Sequence, residues 1–152
     1  MTGEDGHVIL SSTCFQLVVA GSHITQSFSR RIERIGLSHK QVGLLAVVDA
    51  GVATSQREIA TRLHVAPSLV VTLVDQLTST GAVRRTRSRN DRRVQTIEIT
   101  DEGRRLLKAA TDIASRLDAD LRTLLSPDDQ QALDRLLPLL LHAAMATGQD
   151  EA

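Results

Sequence analysis

Apolar residues fall at three- and four-residue spacing over the first quarter of the chain: Cys14, Leu17, Val18, Gly21, Ile24, Phe28, Ile32 and Ile35. That period gathers them on one stripe and predicts a first helix over 8–35, stopped by Gly36. Ser38 followed by Gln41 is a capping-box pattern, in which each side chain satisfies an otherwise unpaired N–H of the first turn. It predicts a second helix running to about Asp49, before Gly51. Ser55 with Glu58 repeats the pattern and opens a short helix carrying Ile59, Ala60 and Leu63. After a turn at Val65, Pro67 stands where a first helical residue has no use for its N–H. Val70, Leu73, Val74 and Leu77 then recur at helical spacing up to Gly81. Two helices joined by about four residues, the second opened by proline and closed by glycine, form a helix-turn-helix pattern.

Beyond Gly81 the period shortens. Val83 to Arg87 and Val94 to Thr100 read as two strands, the second alternating Gln95, Ile97 and Ile99 against Thr96, Glu98 and Thr100. The Asn90-Asp91 pair supplies turn chemistry between them, so they are expected to pair as a hairpin. Thr100 is placed to cap a long helix, with Asp101 and Glu102 in its first turn and a stripe of Leu106, Ala110, Ile113, Leu117, Leu121 and Leu124. Ser126-Pro127-Asp128-Asp129 caps one more helix. That last helix carries Leu133, Leu136, Leu137, Leu139, Leu140 and Leu141, more apolar surface than one side of a helix needs within a single chain, and it calls for a partner. Pro138 inside it is expected to kink or interrupt it. The fold class is therefore mainly α (α+β): a winged helix-turn-helix lobe over 38–100, set between long terminal helices at 8–35 and 101–147. The whole of 1–152 is read as a single domain.

Composition narrows the chemistry. Only 1% of residues are aromatic, so the core is built from Leu, Val, Ile and Ala. No apolar run reaches the roughly 18 residues that span a bilayer, and the start, Met1 to Asp5, is acidic rather than signal-like; a cytoplasmic location and no membrane partner are expected. The lone Cys14 can form no internal disulfide and completes no thiolate metal site, so neither structural metal nor cofactor is expected. No glycine-rich phosphate loop, paired histidines at metal spacing or nucleophile with a neighbouring base appears, which argues against an enzyme. The formal net charge is zero, but Gly81 to Arg93 holds Arg84, Arg85, Arg87, Arg89, Arg92 and Arg93 against Asp91 alone. Acids predominate after Glu98. A neutral total hides a concentrated basic patch, which is the distribution that binds a polyanion.

A helix-turn-helix lays its second helix in the major groove of DNA, and a basic hairpin beside it reaches the neighbouring minor groove. With Val70, Leu73, Val74 and Leu77 turned inward, the outward residues are Ser68, Leu69, Thr72, Gln76 and Val71. Ser68 suits a phosphate and Gln76 suits adenine. Taken alone, the helix fits the core of any small helical domain; the arginine-rich hairpin favours nucleic acid. Arg87, Arg89 and Arg92 are the hairpin's expected contacts, with one arginine paired to Asp91 to stiffen the loop.

The stretch from Ser38 to Leu107 resembles the multiple-antibiotic-resistance regulator (MarR) family. The resemblance is carried by Ser55-Gln-Arg-Glu-Ile-Ala-Thr-Arg-Leu63, Pro67-Ser68, Leu73-Val74-Asp75-Gln76-Leu77, Gly81-Ala-Val-Arg-Arg85, Asn90-Asp91-Arg92-Arg93 and Ile99-Thr100-Asp101-Glu102-Gly103-Arg104. It implies a homodimer with interlocked terminal helices and recognition of a pseudo-palindromic double-stranded operator. It also implies that Asp91-Arg92-Arg93 shapes the wing, with an arginine entering the minor groove. The function implied is that of a transcriptional repressor released by a small-molecule effector, for which His23 and His39 are nominal contacts. Thr72 and Gln76 replace residues commonly basic in that family, and Leu69 and Val71 are more apolar than usual. Reading by the wing and by contact with thymine methyl groups is therefore expected to outweigh arginine-to-guanine pairing.

Two other readings stay open on sequence. Some members of the family use a first-helix cysteine as a peroxide sensor, which makes Cys14 a redox candidate. Its place on the apolar stripe and the absence of tyrosine favour a buried, inert thiol instead. A helical dimerisation or adaptor protein could present the same basic hairpin to an acidic protein partner.

Overall fold

The computed structural model describes residues 4–87 and 95–147, and the chain divides into two compact units, one ending at Ala114 and one beginning at Ser115. Elements run in the order α1 (Glu4–Ser11), α2 (Thr13–Ile32), α3 (His39–Asp49), α4 (Gln56–Leu63), α5 (Pro67–Ser79), β1 (Val83–Arg87), β2 (Gln95–Ile99), α6 (Asp101–Arg122) and α7 (Pro127–Thr147). A single 3-10 turn, Glu33–Ile35, closes α2.

The long first helix expected over 8–35 is in fact two. Ser12 adopts an extended conformation and its hydroxyl accepts the N–H of Phe15, so it caps a new helix, and the axes on either side differ by 59°. The stripe from Cys14 to Ile35 lies wholly beyond the break, on α2 and the 3-10 turn, so its period carried no sign of it. No single helix among the described residues is long and apolar enough to cross a membrane.

Both capping boxes form. Ser38 Oγ accepts Gln41 N–H at 3.3 Å and Gln41 Oε1 accepts Ser38 N–H at 2.8 Å. Ser55 and Glu58 exchange the same pair of bonds at 3.2 and 3.0 Å, and Glu58 also accepts Thr54 N–H at 3.1 Å. The backbone N–H groups of Ser55 and Thr54, together with the Ser55 side chain, hold the Glu58 carboxyl below its ordinary pKa, the backbone N–H of Ser55 contributing most. Between α4 and α5 the chain turns through His64, which takes the left-handed conformation usually left to glycine. At the far end of α5, Gly81 turns at φ 75° while Ala82 N–H reaches back to Leu77 O, the bond that ends a helix and redirects the chain into β1.

The core of the first unit lies where α3, α4, α5 and the hairpin converge. Leu44, Leu45, Ile59, Val70, Val74, Leu77 and Ile97 are all buried there, with Leu106 of α6 closing one side. β1 and β2 pair antiparallel with Val83 opposite Ile99 and Arg85 opposite Ile97. Ile97 N–H also donates to Thr54 O at 2.8 Å, so the segment before α4 clamps the outer edge of β2. Nothing in the sequence pattern announced that bond.

In the second unit, Arg122 reaches Asp118 one turn back at 2.9 Å and Asp134 of α7 at 2.6 Å. Gln130 donates to the carbonyls of Arg122 and Leu125, fastening the corner. Of the two effects expected of Pro138, a kink or an interruption, the interruption does not occur: α7 runs through it as one helix. Proline removes one intrahelical bond, and the flanking leucine- and alanine-rich turns are strong enough helix formers to continue past it.

Candidate nucleic-acid interface

Helix α5 buries Val70, Leu73, Val74 and Leu77 and turns Ser68 and Thr72 fully outward. Thr72 Oγ1 donates to the Ser68 carbonyl at 3.2 Å, leaving the oxygen's lone pairs outward. Leu69 does not join them. It is half-buried and packs on the core, so its expected role as an outward contact is corrected: it lies on the flank of the stripe, where Val65 and Leu63 also cover apolar surface. Val71, on the opposite flank, is exposed.

The two flanks of α5 are each tied to a neighbour. On one side Asp75 accepts a hydrogen bond from Arg85 of β1, an ion pair in which the guanidinium is half-buried. On the other, Gln41 of α3 donates from Nε2 to Gln76 Oε1 at 3.0 Å. Gln76, expected from the sequence to suit adenine, is thus engaged within the chain through its oxygen.

Alternation along the hairpin puts Val83, Arg85 and Arg87 with Gln95, Ile97 and Ile99 on the face that meets α5, and Arg84, Thr86, Thr96 and Glu98 on the other. Arg84 is neutralised there by Glu98, through two bonds at 3.0 and 2.8 Å. Exposed Arg87 continues the side on which Arg85 docks against α5, two residue pairs nearer the tip. Sequence alone assigned a stiffening ion pair to Asp91; Asp91, Arg89, Arg92 and Arg93 lie outside the described residues. Two other pairs, Arg85 with Asp75 and Arg84 with Glu98, anchor the strand.

Helix α6 begins against the same turn. Thr100 Oγ1 donates to Gly81 O at 2.6 Å and accepts Gly103 N–H at 3.1 Å, and Thr100 N–H donates to Ala82 O at 3.0 Å. A Cβ on Gly103 would lie 2.1 Å from Ala82 O, so only glycine lets α6 approach this closely. A glycine in the first turn of an otherwise good helix was the available signal for it.

Two concavities accompany this surface. One of about 490 Å³ lies against the outer face of the hairpin, lined by Asp49, Thr54, Arg84, Glu98 and Arg104, with Arg104 Nε 3.4 Å from Asp49. The other, about 240 Å³, is lined by Ser27, Arg30, Arg31 and Arg34 along one side of α2. His39 is hydrogen-bonded to Ser29 Oγ at 3.3 Å, a structural partner, and His23 is exposed away from both concavities' linings. Cys14 is exposed, not buried as its place on the apolar stripe suggested, because that stripe of α2 is itself uncovered within one chain.

The sequence pattern of the MarR family matches residues 35–94, the segment from the end of the 3-10 turn through the hairpin loop. This segment, the helix-turn-helix and hairpin, is of the MarR family. Among curated MarR-type relatives, the regulator TtmR of Methylorubrum extorquens is 31% identical over 106 residues, covering 69% of this chain and 54% of its own length. The repressor MdtR of Bacillus subtilis is 35% identical over 72 residues, covering 47% of this chain and 46% of its own. These matches span about half the length of those relatives. Among solved structures, the repressor CouR on a 23-mer DNA duplex superposes with a TM-score of 0.77 at 29% identity, covering 93% of this chain and 97% of that one. CouR of Rhodococcus jostii RHA1 bound to p-coumaroyl-CoA gives 0.74 at 27% identity, with 90% and 94% covered.

Proposed function

We propose that this chain is a cytoplasmic, homodimeric MarR-family regulator of transcription that binds a pseudo-palindromic double-stranded operator and acts as a repressor released by a small-molecule effector. The observation that carries the reading is the Arg85–Asp75 pair, which ties β1 to the outward side of α5. Helix α5 enters the major groove with Ser68 and Thr72 foremost, and Arg87 with the loop arginines Arg89, Arg92 and Arg93 lies along the adjoining minor groove and phosphates. The similarity to CouR, solved on a DNA duplex, supports that placement. An effector is supported by the CouR structure bound to p-coumaroyl-CoA, and the three guanidinium groups lining the smaller concavity suit an anionic one.

The test is duplex binding at several salt concentrations. Arg87→Ala is expected to weaken operator and random duplexes alike and to lower the slope of log affinity against log salt by ~1. Thr72→Arg is expected to change which sequence is preferred. Unchanged affinity of Arg87→Ala at every salt concentration would remove the hairpin from the interface. Absence of duplex binding at low salt would return the basic hairpin to an acidic protein partner.

A further inference from the structure

Gln41 takes part in two hydrogen bonds that together dictate which way the amide of Gln76 points. A backbone N–H only donates, so the Gln41 atom 2.8 Å from Ser38 N is the carbonyl oxygen. That leaves Gln41's NH2 group facing Gln76 at 3.0 Å, and the atom it meets has to be an acceptor, Gln76 Oε1. The remaining end of Gln76, an NH2 with two donors, is the one presented at the edge of the outward stripe. The orientation of both amides thus follows from one backbone donor and not from either side chain alone. Gln41 is anchored twice over, since its own N–H also binds Ser38 Oγ at 3.3 Å, so holding Gln76 costs it little further side-chain freedom.

We propose that Gln41 is a positioning residue for base recognition: by engaging Oε1 of Gln76 it makes residue 76 a hydrogen-bond donor to DNA. Helix α5 then selects an acceptor edge in the major groove, guanine O6 and N7 or thymine O4, over the amino groups of cytosine and adenine. This rests on the DNA-binding reading above. An unrestrained glutamine has no such bias, because it turns its amide over at will and pairs with adenine through both ends at once. With the oxygen turned to Gln41, the two-ended pairing with adenine is lost and adenine keeps only N7 as a partner, against both O6 and N7 of guanine.

The test uses two variants that reverse the polarity from opposite sides. Gln41→Glu keeps the capping box, because a carboxylate accepts Ser38 N–H equally well, but it has no N–H for Gln76. Gln76 then turns its NH2 toward that carboxylate and its oxygen outward. Gln76→Glu accepts from Gln41 with one oxygen and presents the other. Each variant adds one negative charge at the same place, so their shared loss of overall affinity drops out of a comparison of base preferences. Wild type and both variants are used to select from a random-sequence duplex library at one salt concentration, with thermal melting of each free protein to confirm folding. At one position of each half-site, guanine or thymine in the wild-type selection is expected to give way to cytosine or adenine in both variants, a roughly tenfold change in relative enrichment. Gln41→Glu binding duplex with the wild-type preference overturns the role of Gln41. Gln76→Glu keeping that preference shows that residue 76 reads no base and overturns the proposal as well. Wild-type protein without salt-sensitive duplex binding overturns the DNA-binding reading itself, a signature distinct from the other two.

Discussion

Single residues in this fold are constrained most tightly where backbone meets backbone. Gly103 is the clearest case: a methyl group there would overlap the Ala82 carbonyl, which cannot rotate away as a side-chain tip would, and would press Ile99 at 2.7 Å. Alanine is the better helix former by about 1 kcal/mol, but forcing an atom into a filled space costs typically ~1–3 kcal/mol and here displaces the start of α6. Gly103→Ala is therefore expected to lower the unfolding free energy by about 1–2 kcal/mol in a urea titration, where helix propensity alone would raise it. Glu58 is constrained by charge. Its pKa is lowered in the folded chain from an ordinary 4.5, so the stability it contributes is complete above the unfolded value and is lost as pH falls through the folded one. A glutamine in its place would still accept both N–H groups without titrating. Melting temperature followed from about pH 5 to about pH 3 is expected to fall more steeply for wild type than for Glu58→Gln, and parallel acid limbs would show that the capping carboxylate does not contribute.

Elements differ in how openly the sequence declared them. Periodicity and caps located α3, α4, α5, β1, β2, α6 and α7, because each of those patterns depends on neighbours a few residues apart. What escaped the sequence depends on distant ones: the split at Ser12, the bond from Ile97 to Thr54, and the ties from α5 to Arg85 and Gln41. Leu69 illustrates the same limit, since its helical position lies near the border between core and solvent and only the neighbouring turn decides which side it joins. The ties matter for recognition because they fix how the hairpin sits beside α5. Asp75→Ala removes one of them. Exposure of Asp75 limits the energetic loss to about 1 kcal/mol or less, so the melting transition is expected to move little. Binding is expected to respond differently: the ratio of operator to random-duplex affinity falls, because the hairpin is no longer held in register with the helix. An unchanged ratio would show that the core contacts of Val83 and Ile97 hold the hairpin in place without the ion pair.

At the scale of the whole molecule, the neutral net charge and the uncovered apolar helices point to the same assembly. Charge is separated along the sequence, with a basic block over Gly81 to Arg93 and the acids concentrated after it, so a zero net charge is compatible with the proposed DNA contact. Apolar surface is left over at both termini: Val8, Leu17, Val18 and Ile24 on α1 and α2, and Leu136, Leu139, Leu140, Leu141 and Met145 on α7. Leu139 and Leu141 are each 63% exposed, and scattered surface leucines do not occur at this density on a helix that works alone. Two-fold pairing would cover both sets with copies of themselves and would set two hairpins and two α5 helices at a fixed spacing, which is what a pseudo-palindromic site requires. Leu139→Glu is expected to halve the mass seen by sedimentation at micromolar concentration. It should leave the helical signal and the folding of the first unit intact, because that unit's core contains no residue of α7. Operator binding should then fall far more than binding to a duplex carrying a single half-site, since linking two weak contacts raises overall affinity by ~100-fold or more without any new contact. A dimer that persists in Leu139→Glu would move the pairing surface from α7 to α1 and α2, where Leu17 and Val18 offer the next apolar face.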